Sequence, residues 1–216
     1  MRTILGRVME FKKRSDLHLA RKFWHSITVF LMAVVYYYLP NQWSGLVLFA
    51  ACLIFIPLDF LRKKNEKLNH ILLRLFQPII RQNEVQGTAG TTYLLAGVFV
   101  VYLFAPREIM LLTLLYLAFA DPIASYVGIK FGKTKIFNGK SLQGSSAAFF
   151  VCAAMTFIVL SFQNLLVDHI WLLSFLGGLL GSAAEAIPIG KLDDNFSIPV
   201  VSAIGLWILF SLFGGL

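Results

Sequence analysis

Seven long apolar runs leave this chain few ways to fold. They cover residues 24–40, 42–61, 90–105, 109–129, 144–162, 169–188 and 196–216. A helix needs roughly 20 mostly apolar residues to cross a bilayer, and a lipid-exposed loop or open sheet edge has no way to satisfy its backbone there. With 58% hydrophobic and 14% charged residues, the composition excludes a soluble domain, and none fits between the runs. The expected fold is all-α, a polytopic membrane protein of about seven transmembrane helices, with residues 1–216 as a single domain. The first run is long and no small-residue cleavage site follows it, so it reads as a span and not a removable signal. Cys52 and Cys152 both lie inside apolar runs, which predicts buried thiols rather than a disulfide or a zinc site.

The net charge of +8 is arranged for membrane orientation, not for nucleic acid. Seven Lys/Arg occur up to Lys22, six from Arg62 to Arg81, four from Lys130 to Lys140, and Lys191 stands in the last polar loop; Arg107 alone falls on the other side. Eighteen against one predicts a cytoplasmic N-terminus, with the second, fourth and sixth connections on the same side and the C-terminus outside. The leader, residues 1–20, mixes basic residues with Ile4, Leu5, Val8, Met9 and Phe11 at helical spacing, as expected for a segment lying on anionic headgroups. Residues 62–84 form a cytoplasmic segment whose part from 65 to 82 is amphipathic, with Leu68, Ile71, Leu72, Leu75 and Phe76 on one face. Asp59 is three and four residues from Arg62 and Lys63, so a local ion pair at the interface accounts for it.

Polar residues within or beside the apolar runs mark the chemistry, and all fall on the cytoplasmic side. Arg21 and His25 share a helical face where the chain enters the first span, with Lys22 between them. Gly87, Gly90 and three threonines precede the third span, where they either cap a helix or meet an anion. Asp121 sits inside the fourth run; a charge there costs several kcal/mol and marks a site. Nine residues separate it from Lys130, about 13 Å along an unbroken helix, a depth that Pro122 would shorten by breaking it. Asp121, Ser125, Gly128 and Gly132 repeat at four, three and four, placing acid, hydroxyl and glycines on one face, although Gly128 and Gly132 also suit close helix packing. The following loop, 130–143, carries Lys133, Lys135 and Lys140, and its Gly139-Lys140-Ser141 resembles only the end of a P-loop. Gly144 and Ser145 then open the fifth span, where free N–H groups favour an anion. In the sixth, Gly178, Gly181, Ser182 and Glu185 share a face, and Asp193, Asp194 and Asn195 follow a turn at Pro188. Such carboxylates suit a hard cation.

Taken together, these stretches resemble the CTP-dependent lipid kinases, the family of dolichol kinase, yeast-type diacylglycerol kinase and phytol kinase, itself distantly similar to the CDP-diacylglycerol synthases. The matching residues are Arg21, Lys22 and His25; Asp121-Pro-Ile-Ala-Ser125 with Gly128, Gly132 and Lys133; Gly139-Lys140-Ser141-Leu-Gln143-Gly144-Ser145; Glu185-Ala-Ile-Pro188; and Asp194-Asn195-Phe-Ser-Ile-Pro199. An acid, Ala-Ser, two glycines and then K-[ST]-x-[EQ]-G-[ST] meet the family's CTP-binding pattern. The resemblance implies an integral membrane enzyme of the bacterial inner membrane or endoplasmic reticulum, CTP as phosphoryl donor, Mg²⁺, and a lipid alcohol of the diacylglycerol, polyprenol or phytol type as acceptor.

On that basis Asp121, Glu185 and Asp194 are the expected Mg²⁺ ligands. Ser125, Gly128, Gly132, Lys133, Lys140, Ser141, Gly144 and Ser145 are the expected nucleotide-binding residues. Arg21 and Lys22 are expected to take up charge from the opposite side, and His25 to receive the acceptor's proton. A CDP-lipid synthase would use the same cradle but release pyrophosphate, and a small transporter would use Asp121 and Glu185 for ion coupling without turning over nucleotide.

Overall fold

The computed structural model describes residues 18–136, 139–187, 190 and 192–215, with the backbone of two short strands in the leader. The expected positions of Lys191 and Pro188 and most of the leader, including residues 9–17, lie outside the described residues. Within the leader, Thr3–Ile4 pairs antiparallel with Arg7–Val8, so the helical spacing read there is not what these four residues adopt.

The rest is helical. The helices are α1 (Leu19–Tyr38), α2 (Asn41–Lys64), α3 (Glu66–Leu75), α4 (Gly90–Phe104), α5 (Arg107–Leu115), α6 (Asp121–Phe131), α7 (Leu142–Gln163), α8 (Ile170–Ala186) and α9 (Asp194–Leu212). Five helical stretches among the described residues are long and apolar enough to cross a membrane: Asn41–Lys64, Arg107–Phe131, Leu142–Gln163, Val167–Ala186 and Asp194–Leu212. The first and third predicted runs also fold as helices. α1 begins five residues earlier than the apolar run and so carries Arg21, Lys22 and His25 in its opening turns, while α4 is apolar but only 15 residues long.

Arg107–Phe131 is the central element. Its apolar stretch is 61% buried, against 28% for Asn41–Lys64. Ile109, Met110, Leu112, Leu114, Tyr116 and Leu117 are sealed from solvent, and α1, α7 and α9 pack around them. Small residues let the neighbours close in. The face predicted from Gly178, Gly181 and Ser182 lies on α7: a Cβ on Gly178 would come within 2.9 Å of the Phe149 carbonyl, one on Gly181 would strike the Cys152 sulfur, and Ser182 Oγ donates to the Ser145 carbonyl at 2.8 Å. This packing brings Glu185, at the end of α8, level with the start of α7. Cys52 and Cys152 are buried free thiols, as their positions predict.

Asp59 does more than the local pair expected of it. Its carboxylate takes Arg62 Nε at 2.7 Å and also the Ala89 N–H and Thr92 hydroxyl, the latter at 2.9 Å, so it closes the N-terminus of α4. Arg62 goes on to Asn69 on α3 and to the Glu84 and Gly87 carbonyls. α3 is correspondingly shorter than its amphipathic pattern: it turns Asn69 and Leu73 inward and leaves Ile71 and Leu75 exposed, and residues 76–89 return as turns bound to this hub. The threonines before the third span are used structurally, Thr92 on Asp59 and Thr88 as acceptor from Lys63 at 2.9 Å.

Asp59 and Arg62 are 5% and 6% exposed, so removing one leaves the other charged and buried. Asp59→Ala is expected to destabilise the protein by about 3 kcal/mol, read as a lower unfolding temperature in detergent, with Asp59→Asn losing less. An unchanged unfolding temperature would show that the hub carries no stability.

Candidate active site

A cavity of about 670 Å³ opens where the ends of α1, α6, α7, α8 and α9 meet. Most of the predicted residues line it: Arg21, Lys22 and His25 from α1; Asp121, Ser125 and Gly128 from α6; Lys140 and Ser141 from the connecting loop; Gly144 and Ser145 from α7; and Glu185 and Asp194 from α8 and α9. Gly132 and Lys133 do not. Lys133 is exposed, its N–H donating to Gln143 Oε1 at 3.0 Å, while Lys135 lines the cavity instead.

The loop is a tight return. Ile136 N–H reaches the Lys140 carbonyl at 2.8 Å and Leu142 N–H the Thr134 carbonyl at 2.9 Å. It delivers the Lys140 ammonium between two acids, 2.6 Å from Glu185 and 3.3 Å from Asp194. Burial alone would lower this amine, but the carboxylates of Glu185, Asp194 and Asp121 outweigh it and hold it above the ordinary lysine range. A raised lysine contributes stability that is fully present below its ordinary value and is lost only as pH climbs through the raised one, so Lys140 remains charged throughout the neutral range.

Asp121 stands across the same cavity beside a π turn. The helix Arg107–Phe131 is not broken at Pro122; it widens over Tyr116–Ala120 and continues. Five residues beyond Leu117 is Pro122, which has no N–H, so the widened ladder offers the Leu117 carbonyl no donor. His25 Nε2 fills that vacancy at 3.2 Å and lies 3.9 Å from Asp121 Oδ2. A carbonyl only accepts, so Nε2 holds its proton in this contact. That argues against His25 receiving a proton through Nε2, which stands beside the Asp121 carboxylate without a hydrogen bond to it. Lys22 Nζ donates to the Ser125 hydroxyl.

The anion-binding N–H groups expected at the head of α7 are already taken. Ser141 caps the helix, its Oγ accepting from Gly144 N–H at 3.1 Å, and Ser145 N–H is bound to the Ser141 carbonyl. What remains is the Ser145 hydroxyl, buried without a partner. Gly128 and Gly144 serve the crossing of α6 and α7: a Cβ on Gly144 would lie 2.7 Å from the Ala124 carbonyl and 3.3 Å from Gly128 Cα.

Comparison with known proteins identifies the family. The CTP-dependent diacylglycerol kinase 1 of Schizosaccharomyces pombe is 34% identical over 171 residues, covering 72% of this chain and 77% of that protein. The chain belongs to the CTP-dependent lipid kinase family. The Saccharomyces cerevisiae CTP-dependent diacylglycerol kinase 1 is 28% identical over 207 residues, covering 85% and 70% of the two chains. A Rickettsia prowazekii protein described as uncharacterized is 30% identical over 189 residues, covering 86% and 91%. No protein-family model and no solved structure matches the chain.

For a lipid kinase the donor set is informative. Asp121, Glu185 and Asp194 face one cavity, and Glu185 Oε2 is buried without a hydrogen-bond partner, which fits a further cation. They do not form a preassembled cluster: among the described residues no three acidic, His or Cys groups gather closely enough to hold a metal, and Lys140 occupies the space between two of them. Sequence reasoning missed two residues: Arg81, which lines the cavity, and Glu84, which stands behind the lining and binds Arg21. Asn195, noted with the acids in sequence, also lines the cavity, its Nδ2 donating to the Gly90 carbonyl at 3.2 Å.

Removing the ammonium tests the pairing. Lys140→Met is expected to cost about 2 kcal/mol near pH 8, because two carboxylates then face each other uncompensated. The deficit is expected to shrink near pH 5 as one of them takes up a proton and the repulsion ends. Thermal unfolding of the two proteins at both pH values measures it; a deficit independent of pH would contradict the pairing.

Proposed function

We propose that this chain transfers the γ-phosphoryl group of CTP to the hydroxyl of a membrane lipid alcohol, with diacylglycerol as the first acceptor to test and polyprenol or phytol as the others. The single observation that carries this reading is the meeting, in one cavity at the helix ends, of cations able to grip a polyphosphate with carboxylates able to serve its metal and its acceptor. The activity for which the two yeast relatives are named supports CTP and diacylglycerol over other pairs.

Seven spans, α1, α2, α4, Arg107–Phe131, α7, α8 and α9, put all the basic connections on one side and Arg107 on the other, which supports a cytoplasmic N-terminus and a cavity facing the cytoplasm. The nucleotide then enters from water, and the acceptor hydroxyl enters sideways from the inner leaflet.

Phosphoryl transfer needs alignment and charge neutralisation more than covalent help. Lys140 leaves its two carboxylates for the triphosphate, and Lys22 and the Ser145 hydroxyl approach it from the sides. The acceptor oxygen attacks the γ-phosphorus, the bond from that phosphorus to the β–γ bridging oxygen breaks, and CDP leaves. The acceptor's proton passes to Asp121, beside which His25 stands. Glu185 and Asp194 offer the oxygen ligands that Mg²⁺ prefers, and Asp121, as the proton acceptor, is not counted among them. Bound there, the ion would neutralise charge on the β- and γ-phosphates.

Purified protein with Mg²⁺ and γ-labelled CTP or ATP, offered each lipid alcohol and phosphatidate in turn, tests the proposal. Label is expected in a lipid phosphate, with CTP preferred. Asp121→Ala is expected to lose at least about a hundredfold in rate while keeping its unfolding temperature. Pyrophosphate release with phosphatidate would point to a CDP-lipid synthase, and absence of any nucleotide turnover to a transporter.

A further inference from the structure

Two arginines stand on the α1 side of the cavity, and their donors are used differently. Arg21 spends three of its five N–H donors on the protein: Nη1 donates to the Ile79 carbonyl and to Glu84 Oε2, both at 2.8 Å, and Nη2 to Glu84 Oε1 at 2.7 Å. Glu84 is buried, and its Oε2 also accepts from the Arg81 backbone N–H at 3.4 Å. Gly90 leaves room for this clamp, since a Cβ there would lie 2.5 Å from Arg21 Nη2 and 3.2 Å from Glu84 Oε1. Arg21 and Glu84 therefore hold both ends of the 79–84 turn.

Between those ends the Arg81 side chain faces the cavity. Of the four half-buried lysines and arginines on the described cavity walls, Arg21, Lys22 and Lys140 each donate to a protein group, whereas among the described residues the Arg81 guanidinium finds no such acceptor. It is within electrostatic reach of Asp121, Asp193 and Lys22. A planar fork of five N–H donors, half withdrawn from water and without an acceptor among the described residues, is matched by the oxygens of a phosphate group.

We propose that Arg81 binds a phosphate of the nucleotide, and that Arg21 is a positioning residue that aims it through Glu84. The assignment rests on the kinase reading for the identity of the ligand, but it changes the roles: the arginine at the head of the first span, the more conspicuous of the two in sequence, holds a turn, and the one from the loop after α3 meets the substrate.

The test uses the full chain in lipid–detergent micelles and compares Arg81→Ala, Arg81→Lys, Arg21→Ala and the reversed pair Arg21→Glu with Glu84→Arg. The readouts are unfolding temperature with and without CTP, and kcat and KM for CTP. Arg81→Ala is expected to keep its unliganded unfolding temperature, lose the upward shift given by CTP, and fall about a hundredfold in kcat/KM, with partial recovery in added guanidinium ion. Arg21→Ala is expected to lower the unliganded unfolding temperature together with activity, with no recovery in guanidinium, and the reversed pair to regain part of both.

CTP protection and kcat/KM at the wild-type level in Arg81→Ala would overturn the proposal. So would an Arg21→Ala protein that keeps its unliganded stability but is no longer protected by CTP, because Arg21 would then be the phosphate ligand. Should Arg81→Ala not fold, Arg81→Lys decides: a raised KM in a protein of normal stability supports the assignment, and a wild-type KM ends it. A wild-type chain that CTP protects but that transfers no phosphoryl group defeats the kinase reading while protection still judges Arg81. A wild-type chain that CTP does not protect defeats both.

Discussion

Carboxylates at the edge of a bilayer need compensation, and the placement of Lys140 between Glu185 and Asp194 supplies it. That contact joins three elements far apart in sequence: the loop after α6, the end of α8 and the start of α9. Without a cation there, two acids would be drawn together with nothing to offset their repulsion or their loss of water. With it, the two acids and the ammonium balance one another across the three elements; the proposed exchange would replace ammonium by metal on the acids and carboxylate by phosphate on the lysine.

The opposite wall is arranged by a backbone irregularity. Pro122 does not interrupt the central helix; it leaves one carbonyl without a donor at a π turn, and His25 from α1 binds it. One missing N–H thus fixes an imidazole, and the imidazole stands beside Asp121. α1 is in turn tied down by Arg21 on Glu84, and Glu84 belongs to a loop whose other end is held by Arg62 and Asp59. The polar groups nearest the lipid boundary form a connected set, as a low-dielectric setting requires of groups that have lost water.

Much of this was legible in the sequence, because bilayer thickness translates directly into apolar length and because a carboxylate in an apolar run is rarely accidental. All seven apolar runs fold as helices, and the acids, lysines and hydroxyls singled out from Arg21 to Asp194 mostly meet in one cavity. The failures share a cause. Helical periodicity says which residues share a face but not which donors are already taken, so Ser141 as a cap, the bonded N–H groups of Gly144 and Ser145, and the hold of Arg21 on Glu84 could not be foreseen. Lys133 and Lys140 are equivalent in a charge count; only the turn between them turns one outward and the other in. Arg81 and Glu84 lie past Phe76, the last named position of the amphipathic face, in a stretch whose path is set by tertiary bonds to α1, α2 and α3.

A structure of the chain with a non-hydrolysable CTP analogue would show whether this cavity seats a nucleoside triphosphate. The phosphates are expected inside the cavity, with Lys140 moved from Glu185 to a phosphate oxygen and Lys22 alongside. An analogue bound elsewhere, or bound with the Lys140–Glu185 pair intact and the phosphates pointing away from it, would rule that seat out.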